Sequence, residues 1–568
     1  MNIKTTFILL LLICAEFRQI TANKQTENHK MINKPLLVSV AAAVLLTGNA
    51  QAASMFDRMS EMETEIQALK AELEEVKAAK PAAEADEEKE EKATMKDEPE
   101  EEEEENTGTE AATAMEAQLT ELNKRTAGNA LKFGVDFRTA VDNLQYKMAD
   151  GSTQKNNALF TNRLWLNMNW AATENMSFTG QLGYNKAYGN RSGFNNGSTF
   201  GNPGFETFDW VTNENPYDDV VRVRSAYFFY RNDTFLGTDI PWTFSIGRRP
   251  STNGHLVNMR DDDPAASPMG HTINVEFDGL SSKFTLMEDI GMYVKVCAGR
   301  GNTNAKAKFF TNSYADNSIS AGAPYATNEE DIPNIDLAGL IFVPYNDGQY
   351  SIGTQYYYAN NLIDATFEYP GAPTDPTPHF AGMKAVGGMH SITGNLVISG
   401  IGDGWSDFLD ETTFFGSVAM SITDPKEGES MLGSSKAARG YSGWIGLQFP
   451  SLISESGRWG IEYNQGTSRW RSITYGEDTL AGSKLAARGR AYEAYFTEPL
   501  IGDVFSFQLR YTYIDYKWSG SNGFFGGNAD GSQGTGTPTL ISDMTPMTGS
   551  TVTVDTAQDI RAYLRYRF

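Results

Sequence analysis

Two hydrophobic periods divide the chain. From Met55 onward, apolar residues recur at Met59, Met62, Ile66, Leu69, Leu73 and Val76, a 4-3-4-3-4-3 spacing with Glu, Lys and Gln at many intervening positions. A repeat near 3.5 residues keeps one apolar seam of a helix turned toward a partner, so a short coiled coil of about three heptads is expected over residues 53–79. The competing reading is one amphipathic helix lying on a partner.

From Leu131 the period falls to two. Leu131, Phe133, Val135 and Phe137 alternate with Lys132, Gly134, Asp136 and Arg138. Leu164, Leu166, Met168 and Trp170 alternate with polar or ring-bearing neighbours, and Trp459, Ile461 and Tyr463 with Gly460, Glu462 and Asn464. Successive side chains of a strand point to opposite faces, so each strand has one apolar and one polar face. A soluble sandwich alternates too; the connections separate the two cases. Short links (171–175, 232–240, 287–291, 346–348, 399–409, 450–456, 498–502) alternate with long ones (147–157, 188–218, 250–278, 301–334, 362–385, 424–439, 471–487, 519–554). Tight turns on one side and long loops on the other are the habit of transmembrane barrels. The fold class expected for 127–568 is all-β: an antiparallel barrel of about sixteen strands, both ends on one side. Lipid offers no hydrogen-bond partners, so such a sheet must close.

The last strand places Ile560, Ala562, Leu564, Tyr566 and Phe568 on one face and Arg561, Tyr563, Arg565 and Arg567 on the other. It resembles the outer-membrane insertion signal, in which a terminal alternating strand ends in Phe. That resemblance implies recognition by the outer-membrane assembly machinery, with Leu564, Tyr566 and Phe568 as determinants. In its layout the chain resembles Gram-negative porins with N-terminal periplasmic helices, and a family of uncharacterised outer-membrane proteins. The resemblance implies passive diffusion of small hydrophilic solutes or ions, contact with outer-membrane lipid and lipopolysaccharide, a homotrimer, and a periplasmic N-terminal extension.

The N-terminal region fits export. Lys34 precedes a short apolar run, and Ala50-Gln51-Ala52 offers a cleavage site, so residues 1–52 read as leader. A second apolar run, Phe7 to Ala15, suggests that translation starts at Met31 and that 1–30 are read-through; a bipartite signal is the alternative. Residues 80–126 form an acidic spacer with a short helix. Glu84–Glu105 carries 14 acidic and 3 basic residues, and such a block repels itself and buries no core. The formal net charge of −25, with no basic cluster, argues against a nucleic-acid partner. Cys14 and Cys297 are the only cysteines, too few for a cysteine-built zinc site in the mature chain. No cofactor is expected.

Parity assigns Arg138, Arg163, Arg222, Arg224, Arg249, Arg510, Arg561 and Arg565 to the face opposite lipid, where an arginine avoids a cost of about 2–4 kcal/mol. Asp261, Asp262 and Asp263 lie in the loop after Arg249. They are expected to form an infolded constriction facing Arg222, Arg224 and Arg249; the alternative is an outer loop that binds nothing, or divalent ions with lipopolysaccharide. An aromatic slide for sugars would draw on Trp165, Phe228, Tyr230, Trp444 and Tyr495. Enzymatic function is not expected: His29, His255, His271, His379 and His390 sit in no His-Glu-x-x-His frame, and no Gly-x-Ser-x-Gly occurs. Two other classes remain, a non-conducting surface or tethering barrel and a sheath around multihaem cytochromes. The chain has no Cys-x-x-Cys-His of its own.

Overall fold

The computed structural model describes residues 131–568 apart from 190–220, 251–253, 306–309, 314–317, 322–324, 326, 328–331, 369–378, 403, 475–476, 522, 526–535, 547–549 and 552. The leader, the heptad seam and the acidic spacer lie outside the described residues.

Sixteen strands close into one antiparallel barrel. They are β1 (Lys132–Met148), β2 (Thr153–Ala171), β3 (Met176–Ala187), β4 (Arg222–Asn232), β5 (Trp242–Pro250), β6 (Glu276–Met287), β7 (Met292–Asn302) and β8 (Ile335–Asn346), followed by β9 (Tyr350–Glu368), β10 (His379–Ser399), β11 (Thr413–Pro425), β12 (Arg439–Pro450), β13 (Arg458–Gly466), β14 (Gly489–Ile501), β15 (Phe505–Tyr516) and β16 (Val554–Arg567). β1 pairs with both β2 and β16, which removes the sheet edges. Val135 and Phe568 exchange backbone hydrogen bonds, so the first strand starts and the last ends at the same rim.

The two-residue period sets inside and outside. On β16, Ile560, Tyr566 and Phe568 are exposed, while Arg561, Tyr563 and Arg565 are buried. Around the wall the outward row continues with Phe133, Val418, Tyr441, Ile445 and Ile461, all exposed. An apolar belt of this extent is a liability in water and a fit to hydrocarbon, so the barrel is a membrane-spanning one. Near the short-turn rim the belt is aromatic: Trp242 lies against Phe235, Tyr230 and Phe284, and Trp459 against Phe496, as interfacial girdles require.

Two expected long links are corrected. β1 and β2 run on to Met148 and Thr153, so the connection expected at 147–157 is a turn at 149–152. β9 and β10, 19 and 21 residues long, extend well beyond the ~10 residues needed to cross hydrocarbon, so much of the link expected at 362–385 is strand, and His379 begins β10 instead of lying in a loop. The many Pro and Gly residues of 370–388 make the link of 362–385 read as a loop, although Leu362 and Ile363 are buried strand residues.

Inside, glycines leave room for rings. A Cβ on Gly460 would lie 2.0 Å from the Tyr495 ring opposite it, so glycine lets that ring lie flat across the neighbouring strand.

Candidate functional site

The lumen is shaped by two infolded loops. The first, residues 254–275, leaves β5 and contains a 3-10 turn, Val257–Asp261, closed by Asp262 in the left-handed conformation. It crosses to the far wall. There Arg260 bonds Glu493 of β14 at 3.1 Å, and Gln508 of β15 donates to the Arg260 carbonyl. The loop returns along β9–β12, where Gln355 accepts from the Met269 N–H, Thr272 meets Thr393, and His271 sits between Ser417 and Ser442. Burial pushes the His271 imidazole down to about 3.

The second loop, 467–488, joins β13 to β14 and docks on the first through a parallel bridge of Ile473–Thr474 with Ile273–Asn274. Its Lys484 bonds Glu462 and Glu493 at 2.6 and 2.5 Å. Its Asp478 faces a wall of arginines. Arg138 forks onto the Asp478 carboxylate, Arg561 lies 3.2 Å from it, and Arg163 and Arg510 lie at 3.9 Å. Burial alone would raise this carboxyl; Arg138, Arg561 and Arg510 outweigh it and hold Asp478 well below the usual carboxylate range.

The arginines form a ladder because register aligns them. Arg138 is opposite Arg163 on one side and Arg565 on the other, and Arg510 is opposite Arg561. Like charges directly across a sheet repel, so the ladder persists only with carboxylates between its rungs. Asp136 takes Arg565 at 2.5 Å and Arg163 at 3.5 Å, and Asp142 takes Arg561 at 2.5 Å.

Asp261 and Asp263 fold onto the β16 wall, away from Arg222, Arg224 and Arg249. Asp261 accepts from Tyr563, and its carbonyl from Arg565. Asp263 pairs with Arg565 at 2.8 Å and Arg567 at 3.2 Å. Asp262 lies 3.5 Å from Arg458, both half-exposed. Burial opposes ionisation of Asp261, yet Arg260, Arg510 and Arg565 bring its carboxyl down to about 2. The residues expected to face the triplet sit elsewhere. Arg224 bonds Glu276 at 3.0 Å and Gln181 at 2.8 Å. Arg249 donates to Ser245 and Ser281 and lies over Tyr227. Arg222 is exposed, opposite Gly183. The reach of the loop decides this: parity sees which face a residue takes, but not how far a loop travels.

A bulge makes a second correction. Gln181 pairs with Ser225 and Leu182 with Val223, leaving Arg224 as the extra residue of β4. One added residue exchanges inside and outside. Tyr227 therefore turns in, and Phe228, 44% exposed, turns out with Tyr230, so neither lines a slide. Trp165, Trp444 and Tyr495 are buried. Trp165 is stacked by Arg163 and Arg224 at 3.6 and 4.2 Å, and Trp444 donates to Glu462.

Sequence reasoning missed Asp478 and Lys484 of the second loop and Glu493 of β14. A signal existed for the carboxylates: a face with this many aligned arginines needs counter-charges, and Asp478 in the loop after β13 and Glu493 on β14 supply two of them.

The family model described as a protein of unknown function, DUF3373, matches residues 153–568. The chain belongs to that family. No curated protein matches it. Among solved structures it is similar in fold to OprB of Pseudomonas putida, at 10% identity and TM-score 0.40 over 80% of this chain and 97% of that one. It is similar to the outer membrane protein OmpT of Vibrio cholerae at 11% identity and TM-score 0.38, over 77% and 97% of the two chains. The outer membrane channel DcaP of Acinetobacter baumannii aligns at 11% identity and TM-score 0.36, over 78% and 98%. These likenesses concern the barrel fold alone.

Proposed function

We propose that this family member is an outer-membrane porin for small hydrophilic solutes or ions. One observation carries the reading: an acidic loop folded into a closed barrel, set against an arginine ladder. Loop carboxylates ion-paired to the ladder put fixed charges of both signs on the inner wall, and charged walls select ions by sign. Transport then runs down a gradient with no cofactor. The two barrel ends at one rim suit a periplasmic N-terminal extension, and the expected heptads would supply a three-helix bundle to a homotrimer. The outward belt suits lipid with lipopolysaccharide, and Leu564, Tyr566 and Phe568, which stand on the outer face of β16, suit recognition by the assembly machinery.

Single-channel recording of the purified protein in planar bilayers tests this. A stepwise conductance is expected, with the number of substeps giving the pores per unit. A second reading, a non-conducting surface or tethering barrel, is favoured by how completely Trp444 and Tyr495 of the inner wall are buried. Silent bilayers containing folded protein would select it.

A further inference from the structure

We infer that solutes pass along the inner wall of β3–β7, and that a strip of uncompensated cations on that wall, Arg249, Lys283 and Lys295, makes the pore one for small anions. The inference rests on the porin reading and names the class of solute. Exposure locates the space. The inward residues Tyr495, Gln508, Arg510 and Arg561 of β14–β16 are buried, whereas Thr179, Tyr227, Phe229, Thr243 and Tyr293, inward on β3–β7, are half-buried. The first loop borders the same space. Its Asp263 pairs with Arg565 of β16, and its Ser267 bonds Lys295 of β7, so the segment between them crosses from one wall to the other. Pro264, Ala265 and Ala266 of that crossing are exposed, which leaves water beside it.

The three cations are half-buried, so each reaches that water. Lys283 and Lys295 stand directly opposite each other on β6 and β7, near the short-turn rim. Arg249 descends toward them from β5 and donates to Ser245 and Ser281. The other partners are a hydroxyl and rings: Lys295 donates to Ser267, Lys283 lies over Tyr293 at 4.3 Å, and Arg249 lies over Tyr227 at 4.8 Å. Among the described residues no carboxylate forms an ion pair with any of the three, and Glu288 and Asp289 of the turn joining β6 to β7 pair with neither lysine. On the far wall Arg138, Arg561 and Arg565 each hold a carboxylate. Like charges directly opposite on a sheet repel. The ladder relieves that with wall and loop carboxylates, whereas the Lys283–Lys295 pair is relieved by an anion from the water. Ammonium groups are point charges without a planar fork, so this strip selects by sign more than by shape.

The test is the reversal potential of the purified full-length protein in a KCl gradient across planar bilayers, at low ionic strength where screening is weak. Chloride should be the preferred ion. Lys283→Gln and Lys295→Gln should each lower the chloride-to-potassium permeability ratio by about two- to threefold, the Boltzmann factor of one unit charge roughly 7 Å away in water. Arg300→Gln, at an exposed position paired with Asp336, should leave the ratio unchanged. Heat-dependent gel mobility checks that the lysine variants are folded. If Lys295→Gln is not, Lys283→Gln carries the comparison, since Lys283 contacts a ring of its own wall and not the first loop; the sign of the wild-type potential needs no variant. A potassium-selective wild type overturns the anion strip, as does an unchanged ratio in a folded lysine variant, and either result leaves the porin reading standing. Silent bilayers remove both.

Discussion

The two sides of the lumen are held by opposite physics. Along β13–β16 and β1–β2 the interior is charged, with Arg138, Arg163, Arg510, Arg561 and Arg565 buried among Asp136, Asp142, Asp478 and Glu493. Along β6–β10 it is apolar: Phe277, Ile341, Tyr357, Ile363 and Met389 pack in one cluster with Met269, Ile273 and Val275 of the first loop, Ile473 of the second, and Phe524 and Phe525 of the β15–β16 connection. Oil anchors the loops on one side and ions aim them on the other. The apolar cluster adds adhesion without direction, since the hydrophobic effect is non-directional, and the Gln355 and Thr393 hydrogen bonds beside it fix the loop's place. The charged side gives direction at the cost of desolvating many ions, and a buried ion is tolerated only while its partner stays.

That contrast can be broken in several places. Asp478→Ala should have the largest effect, about 3–5 kcal/mol of lost stability, because it strips the shared counter-charge from buried guanidiniums. Denaturant unfolding in detergent measures it, and bilayers should show a larger conductance as the second loop leaves the wall. A small loss with unchanged conductance would show that the ladder does not need this carboxylate. Ile273→Ala, fully buried on the apolar side, should cost about 2–4 kcal/mol through the cavity it leaves, with ion selectivity intact. A selectivity change there would mean that the two sides do not divide the labour.

Arg565→Gln removes the partner of Asp136 and Asp263. It should cost about 1.5–3 kcal/mol and move the reversal potential in a KCl gradient toward cations. The pH dependence has a definite sign. His271 titrates near 6.5 when unfolded and at about 3 when folded. The unfolded chain therefore binds the proton first, and stability falls as pH drops below about 6.5. Asp261, at about 2 when folded against an ordinary value near 3.9, contributes stability fully present above about pH 4 and lost toward pH 2. Unfolding midpoints should thus decline below pH 6.5, and His271→Gln should flatten the stretch between 6.5 and 4. The smallest effect is expected at the exposed Arg300–Asp336 pair, where Arg300→Gln should change stability by at most about 1 kcal/mol.

The sequence by itself determined the closed sheet, its outer belt and the inward side of most arginines, because side-chain parity on a strand is local and lipid penalises any violation. It also marked the Asp261–Asp263 loop as a candidate to fold inward, since a run of carboxylates beside a basic wall has an evident partner. Phe228 and Tyr230 were misread because a single bulge at Arg224 reverses parity, and nothing in the local pattern marks one extra residue. The partners of Asp261 and Asp263, and the place of Asp478 among four arginines, were decided only by tertiary structure. Those contacts join residues hundreds of positions apart, and their geometry depends on how far two loops travel across the lumen before an apolar wall stops them.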